Sequence, residues 1–248
     1  MQAHVEASIA LPLQIANAAR AAICAVDLLR AGMDGPHDAL EGPFGYSALI
    51  EPLDLSRYTP ALSQVWRIGE VSIKPFPSGR ASHGALGALS NMIGEGQLKP
   101  KSVVRVTLHA PPLIHRLVGR PYKPGMTAAY ARLCLPFLVA LMLRDVMIDP
   151  RQFDEAGLAD PGLAAIASKV EVRLDSNPDG NALGPQRLEI ELDDGCVLNE
   201  QIDANLGSPA LPLNVTQAYE KYGLCALLAQ GADRRIFDAP LAYATEPR

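Results

Sequence analysis

Residues 68–89 read Ile-Gly-Glu-Val-Ser-Ile-Lys-Pro-Phe-Pro-Ser-Gly-Arg-Ala-Ser-His-Gly-Ala-Leu-Gly-Ala-Leu. The pattern predicts a short strand over Ile68 to Ile73, a rigid turn, and a helix opening near Ser78. Pro75 and Pro77 fix φ and push the residues before them out of the helical region. The Ser78 hydroxyl is expected to cap the helix by accepting from a free amide of its first turn. Those amides and the helix dipole favour an anion there, and Lys74, Arg80 and His83 add positive groups around it. The corner therefore suits a carboxylate-rich small molecule. Read only as chemistry, it equally fits a solvated strand-turn-helix corner.

The rest of the chain sets bounds. Its 248 residues accommodate one large domain or two small ones with a sizeable core. Hydrophobic residues at 48% and a mean hydropathy of +0.08 indicate a globular rather than a disordered chain. A formal net charge of −5 argues against a general nucleic-acid surface. Cys24, Cys134, Cys196 and Cys225 are far apart. No Cys-x-x-Cys pair occurs, so buried reduced thiols in a cytoplasmic protein are expected rather than metal ligands. No signal peptide is expected at the N-terminus. The apolar run Leu133 to Leu143 is too short for a bilayer, and no membrane partner is expected.

In chain order, a helix is expected over Pro12 to Ala31, where Ile15, Ala19, Ala22, Ile23, Val26 and Leu29 recur at helical spacing. Residues 1–10 form a loose start. Gly32 ends the helix, and a short helix follows over Pro36 to Leu40. Val65 to Ile73 reads as strand. Val103 to His109 alternates as a half-buried strand, with Val103, Arg105 and Thr107 on one face. Residues 110–125, rich in proline, read as a long loop. Thr127 to Val146 reads as an apolar helix, Phe153 to Leu158 and Pro161 to Ser168 as short helical segments, and Lys169 to Asp175 as strand. Arg187 to Leu192 and Cys196 to Ile202 flank Asp193-Asp194-Gly195, a hairpin signal. Thr216 to Gln230 closes the chain as a helix with an apolar stripe of Ala218, Tyr222, Cys225 and Leu228.

Four stretches in order resemble one family. Lys-Pro-Phe-Pro-Ser-Gly-Arg-Ala-Ser-His (74–83) resembles the lysine-proline-aromatic-proline...histidine segment of the MmgE/PrpD family. That family includes 2-methylcitrate dehydratases, cis-aconitate decarboxylases and an iminodisuccinate epimerase. Ala31 to Tyr46, with Leu-Glu-Gly-Pro-Phe-Gly-Tyr at its end, resembles a glycine-rich family turn. Thr127 to Glu155 resembles its long apolar helix and the acidic turn after it. Gly207 to Tyr222 resembles its "G-x-P...P-L...K-Y/F" return.

The resemblance implies an α+β chain: a remnant of an all-helical domain at both ends, and an inserted α+β lid with helices on an antiparallel sheet. The implied division is residues 1–64 for helical domain and connector, 65–206 for the lid, and 207–248 for the helical return, with most of the helical domain missing upstream. It also implies a cofactor-independent lyase or epimerase acting on a small di- or tricarboxylate by proton transfer next to a carboxylate. Lys74 and His83 would be catalytic. Ser78, Gly79 and Arg80 would bind substrate, with Tyr122 and Lys123 reaching in from the proline-rich loop. No metal is implied. A homodimer, or a complex with a chain supplying the helical half, would complete the assembly.

Departures from the family pattern carry a second reading. Some members have a histidine where this chain has Gly79 and a tyrosine where it has Phe137. The family's lysine-proline-leucine-histidine segment aligns with Leu11-Pro12-Leu13-Gln14. A catalytically degenerate binding or regulatory subunit, paired with a full-length relative, is the alternative. His109, His115, Tyr130 and Ser47 are weaker candidates, for which solvation or packing is the expected role.

Overall fold

The computed structural model describes residues 3, 6, 8, 10–229, 235–239 and 242. Most of the expected loose start and Gln230 of the expected closing helix lie outside them. The chain divides into two compact units, Met1–Glu70 and Val71–Arg248.

The first unit contains helix α1 (Ala10–Arg30). Gly32, at φ +94, ends it: Gly32 N–H donates to Leu29 O and Met33 N–H to Leu28 O, a Schellman stop that needs the left-handed glycine. Ile15, Ile23 and Leu29 are exposed despite their apolar spacing. The short helix expected over Pro36 to Leu40 is a set of turns instead. Helix α2 (Tyr46–Leu49) comes next.

The predicted strand over Val65 to Ile73 does not form. Arg67–Glu70 is a 3-10 turn in which the Arg67 guanidinium meets the Glu70 carboxylate at 2.8 Å. β-branched residues such as Ile68, Val71 and Ile73 make a strand only when a neighbour completes the ladder. Among the described residues the long-range backbone bond of this stretch is Ile73 N–H to Gly207 O at 2.8 Å.

The second unit is α+β. Its four strands are β1 (Val103–Ala110), β2 (Val170–Leu174), β3 (Gln186–Leu192) and β4 (Val197–Ile202). They lie in the order β2-β1-β3-β4. β3 pairs antiparallel with β4, as the hairpin signal predicts, and β1 pairs antiparallel with β3. β1 pairs parallel with β2, so the sheet is mixed rather than wholly antiparallel. The return from β1 to β2 runs through helices, as a parallel pair requires.

That return corrects two readings. The predicted loop over residues 110–125 contains helix α4 (Pro112–Val118), because Pro112 falls in its first turn, where no N–H is needed. The helix expected over Thr127 to Val146 is split into α5 (Ala128–Ala131) and α6 (Leu135–Asp145). Pro136 lies in the first turn of α6, where its missing N–H costs nothing, and Cys134, the N-cap before Leu135, is extended and separates the two helices. Helices α7 (Glu155–Leu158) and α8 (Pro161–Ala167) are capped by the Asp154 and Asp160 carboxylates.

Helix α3 (His83–Gly94) packs on β3 and β4, while α6 packs on β2, α3 and α8. One sheet face is therefore apolar, with Val106, Leu108, Leu188 and Ile190 buried beneath these helices. A bulge between Val103 and Arg105 shifts the alternation, so Val103 is buried with Val106 rather than facing outward with Arg105. An extra residue in one strand reverses the facing of every side chain beyond it. The other face carries Arg105–Glu191, Arg173–Glu171 and Arg187–Glu189 ion pairs.

Helix α9 (Val215–Leu228) opens with a capping box from Asn214 and Gln217. Its expected apolar stripe is not the face it buries: Ala226 is buried, whereas Tyr222 and Cys225 are exposed. A last short helix, α10, spans Arg235–Asp238. Of the four thiols only Cys134 is buried, and Cys24, Cys196 and Cys225 are exposed, against the expectation of buried thiols. Among the described residues no helix is long and apolar enough to cross a membrane.

Candidate functional site

The Lys74 corner belongs wholly to the second unit. Two prolines keep Lys74 to Ser78 extended and turning, and the return segment after β4 holds that piece in place. Gly207 has φ +86, and a side chain there would start 1.9 Å from the Ile73 carbonyl oxygen. Only glycine permits both the conformation and the approach. One helix later, Lys221 Nζ donates to the Lys74 carbonyl oxygen at 2.6 Å.

The helix opens later than the sequence suggests. Arg80–Ser82 is a 3-10 turn led by Gly79, and α3 begins at His83. Ser78 is buried but does not cap. Its hydroxyl pairs with that of Ser82 at 2.8 Å, and Ser82 Oγ donates to Gly79 O at 2.7 Å. A hydroxyl with a nearer hydroxyl partner has no need of the helix amides. The Ser78 carbonyl instead accepts from Lys74 Nζ at 3.3 Å.

His83 is only 1% exposed. Phe76 meets its ring edge-on, with centroids 5.7 Å apart, and among the described residues Nε2 has no hydrogen-bond partner. Burial first, and then the charge of Lys74, push its pKa down to about 4, with Lys221 and Arg80 adding to the effect and a backbone hydrogen bond to Ser78 opposing it. The imidazole is thus neutral at pH 7.

Arg80 is exposed and its Nη1 donates to Ser72 Oγ at 3.2 Å. Among the described residues no carboxylate pairs with Lys74, Arg80 or Lys221. Elsewhere in the second unit Arg105, Arg144, Arg151, Arg173 and Arg187 meet a carboxylate, whereas Lys123 and Arg132 lie over aromatic rings and Lys169 donates to a carbonyl. What marks the corner is that three cations act on one buried imidazole. Three cations without counter-charge beside a neutral, buried imidazole can hold an anion and accept a proton.

The other predicted residues lie differently. Gly79 packs against α5–α6: its N–H donates to Arg132 O at 3.0 Å, and a Cβ there would meet Leu133 Cδ2 at 2.6 Å. Tyr122 stacks on Phe137 with centroids 6.4 Å apart. Lys123 Nζ sits 4.3 Å from the Tyr130 ring centroid. Among the described residues no hydrogen bond, ion pair or ring contact joins Tyr122 or Lys123 to Lys74, Arg80 or His83. Phe137 is fully buried. His109 lies on β1 and His115 on α4, Tyr130 OH donates to Pro121 O, and Ser47 Oγ accepts from Leu53 N–H.

Sequence reasoning missed Lys221 and Ser82 as members of the corner. Ser82 was within reach of the Ser78 spacing, four residues on. Lys221 is 147 residues from Lys74, and only the lysine-tyrosine pair ending the Gly207 to Tyr222 stretch marked it. Among the described residues no three His, Cys, Asp or Glu side chains converge where they could hold a metal ion.

A family model described as MmgE/PrpD C-terminal domain matches residues 76–239. No curated protein matches the chain.

Proposed function

The chain belongs to the MmgE/PrpD family, and on that premise we propose that it is a lyase or isomerase acting on a small di- or tricarboxylic acid. The reaction moves a proton at a carbon next to a carboxylate, as dehydration, decarboxylation and epimerisation in this family all do. The observation that carries the reading is the convergence of Lys74, Arg80 and Lys221, none paired with a carboxylate among the described residues, around His83.

Each part has a role. Lys74 and Arg80 are exposed and take the substrate carboxylates, Arg80 by a two-pronged contact. A cation close to the carboxylate also steadies the negative charge that develops when the neighbouring carbon loses its proton. His83 is the proton acceptor, since burial and the three cations keep it unprotonated. Its Nε2 is enclosed, so a substrate reaches it only after the enclosing side chains shift, which makes binding and proton transfer separate steps. No metal or organic cofactor takes part in this scheme. We further place the chain in the cytoplasm, as a homodimer or with a partner chain that supplies a helical domain.

A second reading, a binding or regulatory subunit without turnover, is favoured by Gly79. Some relatives carry histidine there, and Leu133 occupies the space its Cβ would need.

Proton NMR in heavy water separates the two. The purified chain is mixed with citrate-like, aconitate-like and aspartate-like acids. Turnover that vanishes in Lys74→Ala is the expected result for the enzyme. Line broadening of the acids without turnover supports the binding subunit. Turnover unchanged in Lys74→Ala removes Lys74 from the reaction.

A further inference from the structure

We infer that Lys221 is a positioning residue of the Lys74 corner, which holds the Lys74 peptide in place and presents a further cation to the same bound carboxylate; this rests on reading the corner as a carboxylate site. The inference starts from geometry. Lys74 precedes a proline, and its carbonyl lies where the chain turns. That carbonyl accepts from Lys221 Nζ at 2.6 Å, while the residue before it, Ile73, is bonded to Gly207 O at 2.8 Å. Two points on one return segment therefore grip two successive residues.

Lys169 makes a comparable bond to the Val103 carbonyl, but Lys221 does so beside two further cations. An ammonium has three donors, and one carbonyl takes only one of them. An exposed bond from an ammonium to a single carbonyl brings little net stability. A glutamine could make the same bond without the charge. Among the described residues no carboxylate pairs with Lys221, and its charge acts on His83 together with those of Lys74 and Arg80. An arriving carboxylate supplies the acceptor that the remaining donors lack. Lys221 then couples two things: the aim of Lys74, through its carbonyl, and the grip on the anion, directly.

The test uses the full chain, with citrate as the probe and Lys74→Ala, Lys221→Met, Lys221→Gln and Lys221→Arg as variants. Labelling lysine carbonyl carbon and proline nitrogen isolates three signals, from the Lys74–Pro75, Lys99–Pro100 and Lys123–Pro124 bonds, and the first reports whether the Lys74 carbonyl accepts a hydrogen bond. Lys221→Met is expected to move that signal alone and to weaken citrate binding about tenfold, the size of one lost charge-assisted bond. Lys221→Arg restores both. Lys221→Gln restores the carbonyl signal but not the affinity, a split that a merely structural lysine would not produce.

An unmoved Lys74 signal in Lys221→Met overturns the clamp. Citrate affinity unchanged in Lys221→Met, where Lys74→Ala loses it, overturns the shared grip. Citrate binding unchanged in Lys74→Ala sinks the carboxylate-site reading itself, and the carbonyl signal then still decides whether Lys221 holds Lys74.

Discussion

A side chain on Gly207 would put its first carbon 1.9 Å from the carbonyl oxygen of Ile73. The two backbones touch, and no rotation of a flexible group can relieve the contact. Gly207→Ala is therefore expected to cost upward of about 2 kcal/mol, from the strained φ and the clash together. Gly125→Ala is the control. Its φ is +69 but nothing lies within 4 Å of the added carbon, so only the conformational part remains, about 1 kcal/mol. Urea unfolding of both variants checks the difference.

Gly79→Ala meets a softer obstacle, the end methyl of Leu133 at 2.6 Å. A cost of roughly 1–2 kcal/mol is expected from overpacking. Leu133→Ala opens the space, so the double variant is expected to be less destabilised than the sum of the singles by about 1 kcal/mol. Additive effects in a double-mutant cycle would contradict the packing role of Gly79.

The buried imidazole gives stability a pH dependence. Its folded pKa, about 4, lies below that of a free histidine, near 6.5. Between these values the unfolded chain takes up a proton that the folded chain refuses. His83 therefore contributes its full stability above pH 6.5, loses it as the pH falls towards 4, and adds no further change below. The loss amounts to roughly 3 kcal/mol. Carboxylates titrate in part of the same range, so the comparison is with His83→Gln, whose stability is expected to fall less steeply between pH 6.5 and 4.5. Parallel curves would show that the ring is not held neutral by burial.

Thiol chemistry reports the packing of the α5–α6 junction. Cys24, Cys196 and Cys225 are exposed and are expected to react rapidly with an aromatic disulfide reagent at pH 8. Cys134 is buried, and burial pushes its pKa up to about 11, so too little thiolate forms for attack. Three thiols reacting at once and the fourth only on unfolding is the expected course.

The elements legible in the sequence are those whose signals are local. The hairpin around Asp193-Asp194-Gly195, the strand after Val103, the stop at Gly32 and the corner at Pro75 and Pro77 each depend on residues a few positions apart. The elements that escaped depend on distant partners. Val71 and Ile73 give the segment before Lys74 strand character, but among the described residues no neighbouring strand completes it. The parallel pairing of β2 with β1 is set by packing of the helices between them, which no periodicity in either strand records. Proline misled in both directions: it hid α4 inside an expected loop, and at Pro136 it divided a helix that the apolar run suggested was whole. Within the site, Lys74, Arg80 and His83 could be read from one segment. Lys221 could not, because its relation to them exists only once the chain has returned.

That return has a consequence for how the molecule comes into being. Every strand of the sheet is complete by Ile202, yet Gly207 and Lys221 lie beyond it. A nascent chain emerging from synthesis can thus assemble its sheet and the helices against it before the corner has its clamp. Closing a loop between Lys74 and Lys221 is among the longest-range steps in this fold, and contacts of that span form late because their entropy must be met by structure already made. The order also runs in reverse: separation of α9 from the corner frees the Lys74 peptide while the sheet stands. The place where an anion would bind is therefore the last part of this unit to be finished, and binding would draw its two chain-distant halves together.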